Sequence, residues 1–513
     1  MNDTNLPPPR QPQPAQRPML GSRAAAILVF ASSAAVLVVE ITALRLLAPY
    51  LGLTLETSTL VIGIALSAIA LGSWTGGRIA DRIDPHRLIG PALAASGAVV
   101  AFTPALLRSV AEWAAPGLLL IASLTILIPG ALLSAVTPMV TKLRLSTLAE
   151  TGTVVGQLSG LGTAGAIAGT VMTGFVLLSR LPITVILVGL GTLLVVGAGL
   201  FEWRTRGFRS VSAAALALVL VTAGLASYVA PGRCDAETKY HCARVVADPE
   251  RDGGRTLMLD GVRHSYVDIG DPTFLKFTYI RALAAIVDAA FPAREPLDAY
   301  HLGGGGLTFP RYLATARPGT QSLVSEVDAE VVRIDRDELG VPQAGIDIRV
   351  EDGRLGLRRL RTGSRDLIVG DAFGGVSVPW HLTTLEAMTD IRRVLNSEGV
   401  YVANLIDHGD LSFARAEVAT LLQIFEYVVV GGELRDLGID PAAEPNGGNL
   451  VVVAANRPID LPATQAELNT RETGWVLATG KDLNGWIGDA VPLVDDHAPV
   501  DQLLEPYPAP RTQ

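Results

Sequence analysis

The sequence predicts a polytopic α-helical membrane domain of about seven spans, followed by a Rossmann-like α/β domain with a small β-hairpin domain in front of it. Three observations carry this. Residues 23–231 hold seven apolar stretches long enough for a bilayer, which takes about 20 residues each. Beyond residue 232 short apolar strands alternate with helices, the pattern of a parallel sheet covered on both faces. Third, Leu297-Asp298-Ala299-Tyr300-His301-Leu302 runs straight into Gly303-Gly304-Gly305-Gly306, and the next apolar run ends in Ser325-Glu326-Val327-Asp328. In a βαβ unit such glycines let backbone approach a nucleoside, and the acid about twenty residues on accepts hydrogen bonds from ribose hydroxyls. A glycine run alone also fits a flexible turn; the acid at that distance is what favours the nucleoside.

Composition sharpens the division. Of 513 residues 49% are apolar yet only 5% aromatic, so Leu, Val, Ala and Gly dominate, as in packed membrane helices. Residues 1–231 carry 14 Lys and Arg against 8 Asp and Glu, a net of +6; residues 232–513 carry 27 against 42, a net of −15. An acidic second half is unsuited to nucleic acid. The segment Met1–Pro18, rich in Pro and Gln, reads as a disordered arm, too polar for a cleaved signal peptide. The expected divisions are an arm (1–22), a membrane domain (23–231), a small β domain plus helix (232–292), a nucleoside-binding domain (293–460) and a surface-wrapping tail (461–513).

The spans fall near residues 24–48, 58–80, 88–107, 116–136, 153–178, 182–201 and 211–230. In the fifth, Gly156, Gly160, Gly165 and Gly169 form small-xxx-small pairs that let a neighbouring helix approach. Positive charge alternates between loops. Arg10, Arg17 and Arg23, then Arg78, Arg82 and Arg87, then Lys142 and Arg144, then Arg204, Arg206 and Arg209 lie on one side, against Arg108 and Arg180 on the other. The positive-inside rule then sets the N-terminus in the cytoplasm, and an odd number of spans sets the soluble half outside. Cys234 and Cys242 stand just past the seventh span with no other cysteine in the chain, which suits a disulfide in an oxidising compartment. Glu40 and Arg45, in or near the end of the first span, are ionisable groups with either a packing or a transport role.

In the soluble half, Tyr240–Val246, Arg255–Leu259 and His264–Ile269, with the turn Asp260-Gly261, read as a β-meander. A helix over Pro272–Ala290 precedes the glycine strand. Strands then end at Glu326, at Glu351-Asp352-Gly353 and at Gly370-Asp371-Ala372-Phe373, each followed by a helical segment. Ligands in such sheets sit beyond the carboxyl ends of the strands. Gly303–Gly306, Glu326, Asp352 and Asp371 all fall there.

These motifs resemble those of the spermidine synthase (polyamine aminopropyltransferase) family. More closely, the chain looks like bacterial membrane proteins in which a major-facilitator-like part is fused to a spermidine-synthase-like one. The resemblance spans about residues 237–458, and rests on Leu259-Asp260-Gly261, the glycine loop, Glu326-Val327-Asp328, Glu351-Asp352-Gly353, Asp371-Ala372-Phe373 and Val378-Pro379-Trp380-His381-Leu382. Val494-Asp495-Asp496-His497-Ala498-Pro499-Val500 looks like the closing segment of the fused proteins, and Gly76-Gly77-Arg78-Ile79-Ala80-Asp81-Arg82 resembles a cytoplasmic loop of major facilitators. The resemblance implies decarboxylated S-adenosylmethionine, or S-adenosylmethionine itself, as cofactor and no metal. Gly303, Gly304 and Gly305 would line its methionine-derived tail, Glu326 its ribose, and Asp352 and Gly353 its adenine. Asp371 would match the catalytic aspartate, which orients and deprotonates an attacking amine, and Tyr279 and His264 would lie near the amine. An amine with a pKa near 10 must shed a proton before it can attack a sulfonium carbon, and a carboxylate can take it.

Four positions depart from the family pattern. Gly306 stands where the glycine loop carries an acid, Gly374 where the catalytic loop carries a second aspartate, and Ile280 and Arg281 where a His-Glu pair follows the tyrosine. Carboxylates recognise a polycation, so their loss weakens that recognition, and Arg281 would oppose it. Two functions therefore stand: a membrane-bound aminopropyltransferase-like enzyme with a small-molecule amine as acceptor, or a catalytically inactive extracytoplasmic nucleoside- or polyamine-binding module on a half-transporter-like membrane domain. Related carriers use two six-helix halves, so a homodimer is one way seven spans would serve transport.

Overall fold

The computed structural model describes residues 20–505 apart from 52–54, 114–116, 146–149, 207–212, 232–233, 342–344, 375–376 and 441–442. Residues 1–19 of the expected arm, with Arg10 and Arg17, and Arg209 of the sixth loop lie outside the described residues. The chain divides into two units near Cys234.

The first unit is helical: α1 (Ser22–Leu51), α2 (Leu55–Arg82), α3 (Ile89–Trp113), α4 (Leu118–Arg144), α5 (Thr151–Met172), α6 (Ile183–Arg206) and α7 (Ala213–Val229). Six of these helices are long and apolar enough to cross a membrane; α7, the seventh expected span, is apolar but has only 17 residues. Small residues set the packing. Gly97 on α3 and Gly191 on α6 lie against each other's backbone, and Gly165 and Gly169 on α5 against Phe30 and Ala34 on α1. Gly156 and Gly160, the other half of the α5 pattern, face open space. Arg108, buried near the end of α3, donates to the carbonyl of Ser227 on α7 (3.4 Å) and to Thr184 on α6 (2.8 Å), so a charged side chain ties α7 into the bundle.

The second unit opens with a four-stranded antiparallel sheet in chain order, β1 (Ala236–Glu237), β2 (Cys242–Ala247), β3 (Gly254–Leu259) and β4 (Val262–Asp268). Asp260 and Gly261 close its last hairpin at φ of 51° and 80°. Positive φ at both central residues matches the right-handed twist of the flanking strands, which is why Asp-Gly stands there. The helix expected over Pro272–Ala290 begins only at Thr278 (α8, Thr278–Ala290).

The main domain continues β5 (Asp298–Leu302), α9 (Thr308–Ala316), β6 (Gln321–Glu326), α10 (Ala329–Asp337), β7 (Ile346–Val350), α11 (Gly353–Arg359), β8 (Arg365–Gly370), α12 (Leu385–Val394), β9 (Leu395–Asp407), α13 (Ser412–Leu422), β10 (Tyr427–Gly432) and β11 (Gly448–Ala455). Its sheet has the order β7-β6-β5-β8-β9-β11-β10-β12, where β12 is Val476–Ala478. Strands β5 to β9 are parallel, and β10, β11 and β12 pair antiparallel. The strands read as continuous apolar runs because both faces are covered. On β9, Val400 and Val402 join the apolar cluster with α8, and Tyr401 and Ala403 join the one with α12 and α13.

The C-terminal segment departs from the expected surface tail. It supplies α14 (Leu461–Thr470), the edge strand β12 and α15 (Gly480–Ile487). Trp475 and Trp486, which the sequence leaves open between packing on the domain and a membrane interface, are buried on opposite faces of the sheet, and the Trp486 indole donates to the Asp436 carbonyl at 2.7 Å. Two large rings pay back the entropy of ordering this segment by leaving water.

Candidate active site

Strand β5 has β6 on one side and β8 on the other, so the chain's direction of winding reverses there, and ligands bind beyond such a switch point. The Gly303 amide donates to the Ser325 carbonyl, and the Asp371 amide to the Leu302 carbonyl, both at 3.0 Å, tying the three loops together. Gly303 has φ of 92°, and a Cβ on it would collide with the Asp371 carbonyl and lie 2.9 Å from Cα of Ala372. Only glycine allows that approach. The Gly304 and Gly305 amides both point at Oε2 of Glu326 (2.9 and 3.3 Å), and the Asp328 amide at its Oε1 (2.9 Å). Glu326 thus holds the glycine loop as well as facing the cavity.

Asp352 caps α11 through the Leu355 amide (2.9 Å) with one oxygen, and its other oxygen meets Nε2 of His381 at 2.9 Å. The His381 carbonyl accepts from Arg354, whose guanidinium forms a bidentate pair with Asp495 at 2.7 and 2.8 Å. The far C-terminal segment therefore braces the wall of the cavity at Asp352, and Ala498 and Val500 line the cavity beside it.

Asp371, at the end of β8, is a half-buried acid facing the cavity. Its Oδ1 accepts from Nδ2 of Asn404 on β9 (2.9 Å), its Oδ2 from the Tyr279 hydroxyl on α8 (3.4 Å), and Asn404 in turn accepts from Asn449 on β11 (2.9 Å). Burial pushes the Asp371 carboxyl up to about 6, against the pull of the Asn404 and Tyr279 hydrogen bonds. Burial, and then the Asp371 charge, push the Tyr279 hydroxyl well above its ordinary value. A carboxylate poised near neutral pH beside a cavity is suited to take a proton.

The hairpin domain forms the opposite wall. His241 meets Asp260 at 2.8 Å, whose other oxygen accepts from the Cys242 amide at 2.8 Å, and Cys242 is disulfide-bonded to Cys234. His264 stands between His241 and Phe373, with ring centroids 6.3 Å from each. Burial first, and then His241, push His264 down to about 4, so it is neutral at physiological pH. The Gly306 amide donates to Ser265 Oγ at 2.8 Å, and a Cβ at 306 would lie 2.6 Å from that oxygen. A side chain at this position would have to displace the Ser265 hydroxyl and break its bond to the 306 amide.

Gly303, Gly304, Gly305, Glu326, Asp352, Gly353, His264 and Asp371 thus line one cavity, with Tyr279 bonded to Asp371. Arg281 does not oppose a cation there as expected. It donates to the Arg471 carbonyl (3.0 Å) and to Thr278, and is absent from the lining residues, while Ile280 is buried in the core. Sequence reasoning missed Asn404, His381 and the His241–Asp260 pair. Asn404 had a signal, as a lone amide inside the apolar strand Val400–Ile406; the other two depend on tertiary contacts. Among the described residues no cluster of His, Cys, Asp and Glu could hold a metal ion.

No family model matches the chain. It is 28% identical over 204 residues to the polyamine aminopropyltransferase of Chromobacterium violaceum, a match covering 39% of this chain and 72% of that enzyme. It is 31% identical over 147 residues to the polyamine aminopropyltransferase of Vibrio vulnificus, covering 27% and 48%. Among solved structures, a probable spermidine synthase from Corynebacterium glutamicum shares 29% identity over 51% of this chain and 95% of its own, with a TM-score of 0.47. The C-terminal half of this chain is homologous to the spermidine synthases, the polyamine aminopropyltransferases.

Proposed function

We propose that the protein is a membrane-bound, spermidine synthase-like enzyme that transfers an aminopropyl group to an amine, with Asp371 as the base. The observation that carries this reading is Asp371 itself: half-buried at the cavity, raised to about 6, oriented by Asn404 and Tyr279, and bonded through its backbone to the end of the glycine strand. The residues present fit decarboxylated S-adenosylmethionine. Gly303, Gly304 and Gly305 bring bare backbone to the cavity, Glu326 faces it as a ribose acceptor, and Asp352 and Gly353 with His381 offer polar partners to adenine. When bound, that group supplies an alkyl carbon made electrophilic by a sulfonium. Asp371 takes the proton that the amine must lose, and the apolar walls around it keep water away.

Calorimetry on the full chain in detergent, with decarboxylated S-adenosylmethionine and with S-adenosylmethionine, tests the nucleoside half of the reading; release of methylthioadenosine on adding an amine tests the transfer. Tighter binding of the decarboxylated form with amine-dependent release is expected. Binding of neither would sink the proposal.

A second reading, an extracytoplasmic binding module, is favoured by the Cys234–Cys242 disulfide and by the charge pattern of the loops. Seven spans put the soluble half outside and six put it in the cytoplasm, where the cofactor is made. Membrane-impermeant maleimide on intact cells decides between them. Labelling of Cys234 and Cys242 only after external reduction supports the binding module, and labelling only after lysis supports the enzyme.

A further inference from the structure

We infer that the acceptor this site takes is an amine with a single cationic centre and an aromatic or apolar remainder, rather than a di- or polyamine. The inference rests on the proposed aminopropyl transfer and names its substrate class. A polyamine carries ammonium groups several ångströms apart, and each needs an anionic or strongly accepting partner when it leaves water.

The carboxylates around the cavity do not provide them. Asp371 serves the reacting nitrogen. Both oxygens of Asp260 are taken by His241 and the Cys242 amide. Glu326 accepts three backbone amides at the glycine loop, and Asp352 is divided between Leu355 and His381. Asp501 belongs to the C-terminal segment, next to Val500, which packs in one apolar cluster with Val378 and Leu382. The two positions that would add an acid near Asp371 are glycines, and at Gly306 a side chain would need the Ser265 hydroxyl to give way.

Along the wall next to Asp371 stand rings instead. Phe373, two residues on, leads to His264 and then His241 in steps of 6.3 Å, and Tyr240 and Leu259 of the hairpin domain complete this wall. His264 is neutral at physiological pH, so it neither attracts nor repels a second ammonium. Such a row stacks on an aromatic or alkyl tail and strips water from it.

Calorimetry on the full-length protein in detergent, saturated with methylthioadenosine to fill the nucleoside end, compares 1,4-diaminobutane with 4-phenylbutylamine. The arylalkylamine is expected to bind about tenfold more tightly, the worth of one good stacking contact. In Phe373→Ala that advantage should shrink. In Gly374→Asp the diamine should gain about tenfold while the arylalkylamine is little changed; among the described residues a Cβ at 374 meets nothing nearer than the Ser377 carbonyl at 3.9 Å. Equal or tighter binding of the diamine by the native protein overturns the inference. So does failure of both amines to bind while the nucleoside binds, an outcome that leaves the nucleoside reading standing. Failure of the nucleoside itself to bind overturns the proposed function, and the acceptor class with it.

Discussion

At the nucleoside end of the cavity most of the structure is backbone: a glycine at positive φ pressed on the next loop, amides aimed at Glu326, and a helix cap at Asp352. At the proposed acceptor end the cavity is lined by separate side chains, Asp371 with rings beside it and the His241–Asp260 pair beyond them. The difference bears on how far a resemblance reaches. A loop whose shape depends on several mutually bonded amides keeps its ligand geometry as a unit. A wall made of single side chains changes its specificity with each one, so a shared fold can keep a nucleoside site while its amine site diverges.

The largest effect expected is on Asp371. Asp371→Asn keeps the shape and removes the base, so amine-dependent release of methylthioadenosine should fall by about 10²–10⁴-fold. Nucleoside affinity by calorimetry should stay within a few-fold. Comparable losses in both would show that the two ends are one structural unit and break the comparison. Glu326→Gln probes the other end: replacing a charged acceptor by a neutral one should weaken nucleoside binding by about 10- to 100-fold. Amine affinity measured with the nucleoside end empty should hold.

The fold was largely legible in the sequence, since apolar runs and glycine-acid spacings are local signals. The four parallel strand ends at Gly303, Glu326, Asp352 and Asp371 were read from such signals alone, and all four line one cavity. The C-terminal segment was not, because β12 and the buried Trp475 and Trp486 acquire meaning only from the sheet they pack on. Arg281 was misread for the same reason: its chemistry suggested repulsion at the site, whereas its position on α8 aims it at the Arg471 carbonyl. His381 and the His241–Asp260 pair join residues 29 and 19 apart in sequence through loops that no periodicity predicts.

A pH profile sharpens the contrast further. With the Asp371 carboxyl at about 6, its charged form falls tenfold per pH unit below that value, so kcat/KM should show an acidic limb near pH 6 rather than near 4. Stability must run the opposite way. A carboxyl raised on folding stabilises the native state below its ordinary value of 3.8, and that stability is lost as pH rises through about 6. Asp371→Asn should therefore raise Tm at pH 7.5 and leave it nearly unchanged at pH 3.5. A limb near 4 with no such crossover would mean that Asp371 is solvated and not held as a base.

The smallest effect expected comes from the brace behind the nucleoside end. Asp495 stands outside the cavity lining; it holds Arg354 in a bidentate pair, accepts from Thr384 at 2.7 Å, and through Arg354 fixes the His381 carbonyl beside Asp352. Asp495→Asn keeps one acceptor oxygen and loses the charge that matches the guanidinium. As a positioning residue it should weaken nucleoside binding by about three- to tenfold, equally for decarboxylated and intact S-adenosylmethionine, with little change in amine KM. Asp495→Glu, which restores the charge on a longer arm, should recover part of the loss. If amine KM moved instead, the C-terminal segment would belong to the acceptor end, and the two ends could no longer be treated as separately built.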